Sequence, residues 1–264
     1  MSTAMTELQV VLAVLSGGIV GFTLGLLGGG GSIMAVPLLL YVVGLRNTHV
    51  VIGSTALAVA VNAYLSMIYH WRERHVNVKA AIAFAIPGVA GAFVGAEAGK
   101  LVPDKQLLFL FAILMIVVAL WMLRTKKINN DGEKQEIVHL RMGRVLGTGF
   151  TVGAISGFFG IGGGFLIVPG LIFATGMSMI QAIGTSLFSV GTFGLTTAID
   201  YAASGLINVW VVVEYVAGGV VGGYLGTLLA KRLSRQKRAL NIVFSVIIIL
   251  VAVYMLYVNW VALH

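Results

Sequence analysis

The chain alternates between long apolar runs and short polar breaks. The apolar runs cover residues 8–27, 33–45, 50–71, 78–99 and 106–123, then 145–160, 165–175, 182–203, 206–230 and 239–263. A helix of about 20 apolar residues is long enough to cross the hydrocarbon core of a membrane. The pattern therefore predicts an all-α, polytopic membrane protein.

The second run of each half is too short to span a membrane alone. The 13 residues at 33–45 would cover only about 20 Å as a helix, against a hydrocarbon core of roughly 30 Å. A glycine cluster precedes each short run, GGGG at 28–31 and GIGGG at 160–164. We expect the first two runs of each half to form a helix pair, broken or folded back at the cluster, followed by three transmembrane helices.

The two halves are copies of one module. Residues 21–44 and 153–176 share nine identities in 24 positions at an offset of 132, most of them Gly or Pro. The match resumes at an offset of 131, pairing IGST at 52–55 with IGTS at 183–186. Such self-similarity indicates an internal repeat. We predict a first transmembrane repeat at 1–124, a cytoplasmic linker at 125–144 and a second transmembrane repeat at 145–264.

Charge predicts the orientation. Only 10% of the residues are charged and the net charge is +8, with the basic residues lying between apolar runs, so no nucleic-acid partner is expected. If each broken pair returns to the side it left, 14 of the 17 Lys and Arg residues share the linker's side, and only Arg46, Lys100 and Lys105 lie opposite. The positive-inside rule then places the linker in the cytoplasm and both termini outside the inner (plasma) membrane. Each half crosses an odd number of times, so the repeats are predicted to be inverted.

The 35 glycines divide into two groups. Those spaced a helical turn apart, such as Gly17, Gly21 and Gly25, are typical of close helix packing. The clustered ones do not fit packing, because packing needs them a turn apart. Inverted repeats place helix breaks near the membrane midplane, where helix starts offer free N–H groups and a positive dipole to an anion. No Lys or Arg lies in the middle of any run, so backbone amides, dipoles, hydroxyls and side-chain amides would hold that anion.

Polar residues recur at matched positions after each broken pair. Pro37 and Pro169 could start a helix or kink one, and the hydroxyls could instead bond to a carbonyl one turn back. The predicted substrate-binding residues are Gly28, Gly29, Gly30, Gly31, Ser32, Pro37, Gly53, Ser54, Thr55, Asn62, Gly160, Gly162, Gly163, Gly164, Pro169, Gly184, Thr185 and Ser186.

Acidic residues inside membrane spans are costly and are candidates for function. Glu214 lies about eight residues into its run and is a candidate for proton coupling, although its aligned residue is Ala83; Asp200 and Glu97 lie nearer the ends of theirs. The chain has no Cys, no Walker lysine after GGGG and no metal-ligand spacing. We therefore predict no catalytic residue, metal or cofactor, which disfavours an enzyme or an ATP-driven pump.

The duplicated motif GLLGGGGSIMAVP and GFFGIGGGFLIVP, followed by IGST and IGTS, resembles the sulfite exporter TauE/SafE family. The resemblance covers essentially the whole chain. It implies a prokaryotic-type inner-membrane protein that moves sulfite, sulfonates or other small organic or sulfur-containing anions. The resemblance places at the family's motif positions residues 28–32, Pro37 and 53–55 of the first half and 160–164, Pro169 and 184–186 of the second. The copies differ, since Gly29 aligns with Ile161 and Ser32 with Gly164. The two half-sites are therefore not equivalent.

The function predicted from these patterns is secondary transport of a small anion, with sulfite or an organosulfonate favoured, by alternating access of the two inverted repeats. The expected partners are this anionic substrate and the lipid bilayer; the oligomeric state stays open. A passive anion channel and a non-transporting membrane scaffold are the alternatives.

Overall fold

The computed structural model describes residues 6–124, 142–159, 164–177, 179–232, 246 and 249–258. All regular elements in these ranges are helical: α1 (Glu7–Leu27), α2 (Ala35–Pro37), α3 (Thr48–Arg72), α4 (Val78–Lys100), α5 (Asp104–Arg124), α6 (Met142–Phe159), α7 (Gly164–Thr175), α8 (Met179–Ala203), α9 (Val209–Arg232) and α10 (Ile249–Val258). Five of these helices, α1, α3, α4, α8 and α9, contain segments long and apolar enough to cross a membrane. The prediction of an all-α, multi-pass membrane protein is confirmed.

Both short runs fold back along the helix before them. After α1 the chain forms a 3-10 segment at Gly28–Met34, the single turn α2 and a π-helical segment at Leu38–Val42. Gln9 Nε2 donates to Val43 O at 3.3 Å, so this stretch returns to the beginning of α1. In the second half, the guanidinium of Arg144 lies 5.7 Å from the ring centroid of Phe173, so α7 returns along α6. Of the two arrangements that the run lengths left open, broken or folded back, the structure shows the folded-back one.

Spaced glycines allow two pairs of helices to pack in parallel. On α1, the spaced glycines lie so close to the backbone of α9 that a β-carbon would not fit. The contacts join Gly17 to Tyr215, Gly21 to Gly219 and Gly25 to Gly223. The same holds for Gly149, Gly153 and Gly157 on α6 beside Phe84, Gly88 and Ala92 on α4. The contacting residues of α6 and α4 align in the repeat with those of α1 and α9, so the two helix pairs make equivalent contacts. The prediction that the spaced glycines on α1 allow close helix packing is confirmed.

Helices α3 and α8, aligned with each other in the repeat, pack in antiparallel directions. Gly53 of α3 contacts Tyr201 near the end of α8, whereas Tyr64 lies further along α3 and contacts Gly191, nearer the middle of α8. The phenol oxygen of Tyr64 is 3.1 Å from Thr192 Oγ1. Residue numbers therefore rise along α3 while they fall along α8.

The described helices belong to two compact units. The first comprises Met1–Leu101 and Glu136–Ala230, and the second Val102–Gln135 and Lys231–His264. The first unit contains α1–α4 and α6–α8 with most of α9, and the second contains α5 and α10. Most of the predicted linker, residues 125–141, lies outside the described residues.

Candidate functional site

The first glycine cluster is itself helical. The sequence predicted a helix that starts after the cluster, but the 3-10 segment begins at Gly28. Gly28 has φ 69° and ψ −145°, a conformation essentially restricted to glycine. A β-carbon there would lie 2.8 Å from Ile183 Cγ2 and 3.1 Å from Ile183 O. The absence of a side chain thus permits both the turn and the close approach to α8.

Hydrogen bonds connect this cluster to the IGTS motif of the other half. Gly29 N donates to Ser186 Oγ at 3.4 Å, and Ser186 Oγ donates to Ile183 O at 2.7 Å. Ser32 Oγ donates to Gly29 O at 2.9 Å and is fully buried. The structure therefore brings together two segments that the sequence singled out separately, in different halves of the chain.

Ser54 and Thr185, at matched positions, hold the loops before α9 and α4. Asn208 N donates to Ser54 Oγ at 2.9 Å, and Asn77 N donates to Thr185 Oγ1 at 3.0 Å. Asn208 and Asn77 are aligned in the repeat, and each uses its side-chain oxygen to accept from a backbone N–H in the first turn of the helix that follows. Ser54 of the first half thus fixes the start of α9 in the second half, and Thr185 of the second half fixes the start of α4 in the first.

The glycines that precede Ser54 and Thr185 also lie against the backbone of the other half of the chain. A β-carbon on Gly53 would strike Leu206 O, and one on Gly184 would lie 2.7 Å from His75 O. Thr55 Oγ1 instead donates to the carbonyls of Val51 and Ile52 at 2.8 and 2.9 Å. The Thr55 hydroxyl therefore bonds within its own helix, which is the alternative that the sequence left open for these hydroxyls.

The prolines occupy different positions in the two halves. Pro37 is the last residue of the single turn α2, directly before the π-helical segment. Pro169 lies inside α7 rather than in its first turn. Gly164 begins α7, while Gly160, Gly162 and Gly163 lie outside the described residues. The geometry of the second cluster is therefore not part of the described site.

Asn62 is the predicted site residue with the most unusual surroundings. Its side chain is 1% exposed, and neither Nδ2 nor Oδ1 has a hydrogen-bond partner among the described residues. The amide lies directly against Gly219, where a β-carbon would overlap it. Asn62 forms one end of a pocket of about 150 Å³ between α3 and α9. Its other polar lining residues, Ser66, Tyr69, Arg72 and Tyr224, were not among the predicted site residues.

A cluster of charged residues near the ends of α4 and α8 was also missed. Lys100 Nζ lies 2.8 Å from Glu97 Oε1, 2.9 Å from Asp200 Oδ2 and 3.1 Å from Ser204 Oγ. The Asp200 side chain is 5% exposed and that of Glu97 is 53% exposed. The sequence showed each acid separately, but only the packing of α4 against α8 joins both to one lysine.

Glu214 lies on α9, away from any basic partner within the described part of the chain. Its Oε2 atom is buried without a hydrogen bond there, while the residue as a whole is half-buried.

These features define a polytopic helical membrane protein with glycine-dependent helix breaks and buried polar groups between its halves. A sequence profile described as "Sulfite exporter TauE/SafE" matches residues 13–255. A "Probable membrane transporter protein" of Xylella fastidiosa (strain Temecula1) is 50% identical over 259 residues, covering 98% of this chain and 99% of the relative. The "Probable membrane transporter protein YunE" of Bacillus subtilis is 25% identical over 269 residues, covering 94% and 97%.

This chain belongs to the TauE/SafE family of membrane transporters. It is thus a transporter-family protein and not an enzyme, and transport implies a small substrate. No solved structure matches the chain.

Proposed function

We propose that this protein is a secondary transporter of a small anion, with sulfite or an organosulfonate as the substrate class, and that it works by alternating access of two inverted repeats. The observation that carries the proposal is the reciprocity of the contacts between the halves. Ser54 holds Asn208 as Thr185 holds Asn77. Such an exchange is what a two-fold relation between equivalent parts produces.

The direction of the helices supports inversion. The aligned helices α3 and α8 pack antiparallel, so a two-fold axis that exchanges them runs perpendicular to them. If both helices cross the membrane, that axis lies in the membrane plane, as in inverted-repeat transporters. The proposed repeats are 1–124 and 145–264, joined by the polar linker at 125–144.

The charge distribution favours one orientation of this scaffold. Because both broken pairs fold back, the 14 basic residues counted on the linker's side share one face, which the positive-inside rule assigns to the cytoplasm. Both termini then lie outside an inner (plasma) membrane. Thiol labelling of a cysteine placed in the linker, such as Asn130→Cys, should occur only from the cytoplasmic side.

The proposed substrate site is the meeting of the glycine breaks with the segments after them. Support comes from the contact of Gly28 and Gly29 with Ile183 and Ser186, and from the absence of a basic residue in the middle of any run. Backbone N–H groups and hydroxyls would then hold the anion. The remaining predicted residues of both motifs belong to the same proposed site by alignment. Sulfite is favoured by the family description alone.

Uptake of labelled sulfite and methanesulfonate into proteoliposomes tests the function. Saturable flux that responds to a proton or ion gradient is expected. Flux that neither saturates nor needs a gradient would replace the transporter with a passive anion channel. Absence of flux of any small anion, together with no ligand-dependent thermal shift, would favour a non-transporting scaffold.

Two glycines with positive φ separate a role in the site from the general cost of adding a side chain at such a position. Gly28 has φ 69° and lies against Ile183, whereas Gly44 has φ 79° and open space around it. Gly28→Ala should therefore reduce flux much more than Gly44→Ala, although both variants place a side chain in a strained positive-φ conformation. Equal flux in the two variants would remove the first cluster from the site.

Glu214 is the proposed proton-coupling residue. A carboxyl inside a membrane span without a cationic partner exchanges protons at lower cost than one held in an ion pair. Glu214→Gln should keep downhill anion exchange and lose accumulation driven by a pH gradient. Unchanged accumulation would assign the coupling elsewhere.

A further inference from the structure

The unsatisfied amide of Asn62 points to a bound solute. A buried polar group that lacks a hydrogen-bond partner costs about 1–3 kcal/mol. Asn62 leaves both amide atoms without a partner in the described structure while being 1% exposed. Asn62 is also among the residues that line a pocket between α3 and α9, so a solute in that pocket would lie beside this side chain.

The pocket runs along one face of α3. Asn62, Ser66, Tyr69 and Arg72 line it from that helix, and Gly219, Gly223 and Tyr224 line it from α9. The ten helical steps from Asn62 to Arg72 correspond to about 15 Å along a helix. Its volume of about 150 Å³ is below the roughly 300–1,000 Å³ of pockets for drug-sized ligands. The space suits a small solute.

The chemistry of the lining favours an anion with oxygen acceptors. Asn62 offers N–H donors, Ser66 and Tyr69 offer O–H donors, and Arg72 offers a charged planar fork that suits oxyanions. The lining residues in the described part of the chain include no carboxylate. A cation would meet the positive charge of Arg72 without compensation.

Side chains occupy the aligned groove in the other half. Phe193, which aligns with Asn62, fills the space beside Gly88 and stacks on Phe84 with ring centroids 6.3 Å apart. Asp200, which aligns with Tyr69, is held 2.9 Å from Lys100 Nζ. The two pockets therefore present one open and one closed form of the same architecture.

We propose that the α3–α9 pocket is a binding station for a small oxyanion, reached from the Arg72 end and terminated by Asn62, while its α8–α4 counterpart is shut by Phe193 and the Lys100–Asp200 pair. The station deepens the transport proposal and rests on it for the identity of the solute. In the orientation proposed above, the open pocket faces the cytoplasm.

The absence of native cysteine makes a direct test possible. Ser66→Cys places a thiol in the open pocket, and Thr197→Cys places one at the aligned position of the closed pocket. With the full chain in phosphatidylcholine vesicles, a small thiol reagent should label Ser66→Cys about tenfold faster than Thr197→Cys, a ratio equivalent to 1.4 kcal/mol. Saturating methanesulfonate should slow only the Ser66→Cys reaction. Gly223→Cys, whose β-carbon would lie 3.1 Å from Ser66 Oγ in the open pocket, and Ala92→Cys at the aligned buried position form a second matched pair should either first variant fold poorly.

Replacing the amide tests the recognition itself. In the Ser66→Cys background, Asn62→Leu should keep the labelling and abolish the protection by methanesulfonate. Equal labelling of the two pockets, or absence of protection by methanesulfonate, sulfate and acetate alike, would overturn the proposal. Protection that depends on added phosphatidylglycerol and ignores methanesulfonate would also overturn it, because a lipid headgroup would then be the occupant.

Flux measured in the same vesicles separates this proposal from the general one. Protection by methanesulfonate without flux of any anion would support the binding station and contradict transport. Flux without protection would support transport and contradict the station.

Discussion

The α3–α9 and α8–α4 grooves are built from aligned residues, yet one is open and the other filled. The open groove has Asn62 beside Gly219, and the filled groove has Phe193 beside Gly88. At the ends, Tyr69 lines the open pocket while Asp200 is paired with Lys100. Duplication preserves the backbone framework through the glycines, and a few side chains then decide which groove admits a solute.

Filling the open groove with the aromatic side chain found in the closed groove should have the largest effect on anion flux. Asn62→Phe places an aromatic ring where the pocket now lies, so anion flux in proteoliposomes should fall to background. Phe193→Leu, at the aligned position, keeps the other groove apolar and serves as the control. Undiminished flux in a folded Asn62→Phe variant would show that the solute does not pass this pocket.

The shared framework should respond equally in both halves. Gly21→Ala and Gly153→Ala each force a β-carbon against the backbone of a glycine on the partner helix, and overpacking of this kind costs about 1–3 kcal/mol. Denaturation in mild detergent should show similar losses in the free energy of unfolding. Gly147→Ala, with open space around it, is the control. A loss in only one half would contradict the equivalence of the two crossings.

Loosening the closed groove should make it more like the open one. Asp200→Asn removes one carboxylate from Lys100, so labelling of Thr197→Cys should rise by about tenfold, equivalent to 1.4 kcal/mol. Glu97→Gln should change it little, because that carboxylate is 53% exposed and exposed pairs contribute about 0–1 kcal/mol. An unchanged labelling rate of Thr197→Cys would show that the Lys100–Asp200 pair does not close the groove.

The smallest effect is expected at the reciprocal hydroxyls. Ser54→Ala and Thr185→Val each remove one acceptor for a backbone N–H, and such a hydrogen bond contributes about 0.5–1.5 kcal/mol. Thermal denaturation should show equal small losses, while Thr151→Val, whose exposed hydroxyl bonds only within its own helix, should be neutral. Clearly unequal losses at Ser54 and Thr185 would weaken the two-fold relation.

The sequence predicted part of the site and missed part of it. Glycine clustering identified the break at 28–31, because consecutive glycines have no explanation in helix packing. Asn62 was found as a polar residue in an apolar run. Lys100 and Ser66 were missed, because a lysine at the end of a run and a serine inside one are ordinary in isolation. The available signal for both was recurrence at aligned positions, since Lys100 aligns with Lys231 and Ser66 with Thr197.

The sequence by itself determined the class of protein, the helical runs, the duplication and the folded-back pairs, since these depend on local hydrophobicity and glycine spacing along the chain. Tertiary structure decided which groups meet. It brought Gly29 to Ser186, Asp200 to Lys100, and left Asn62 facing a pocket where Phe193 fills the matching space. Such contacts join positions about 100 or more residues apart in sequence or lie between helices, so they arise from packing geometry, which local periodicity does not encode.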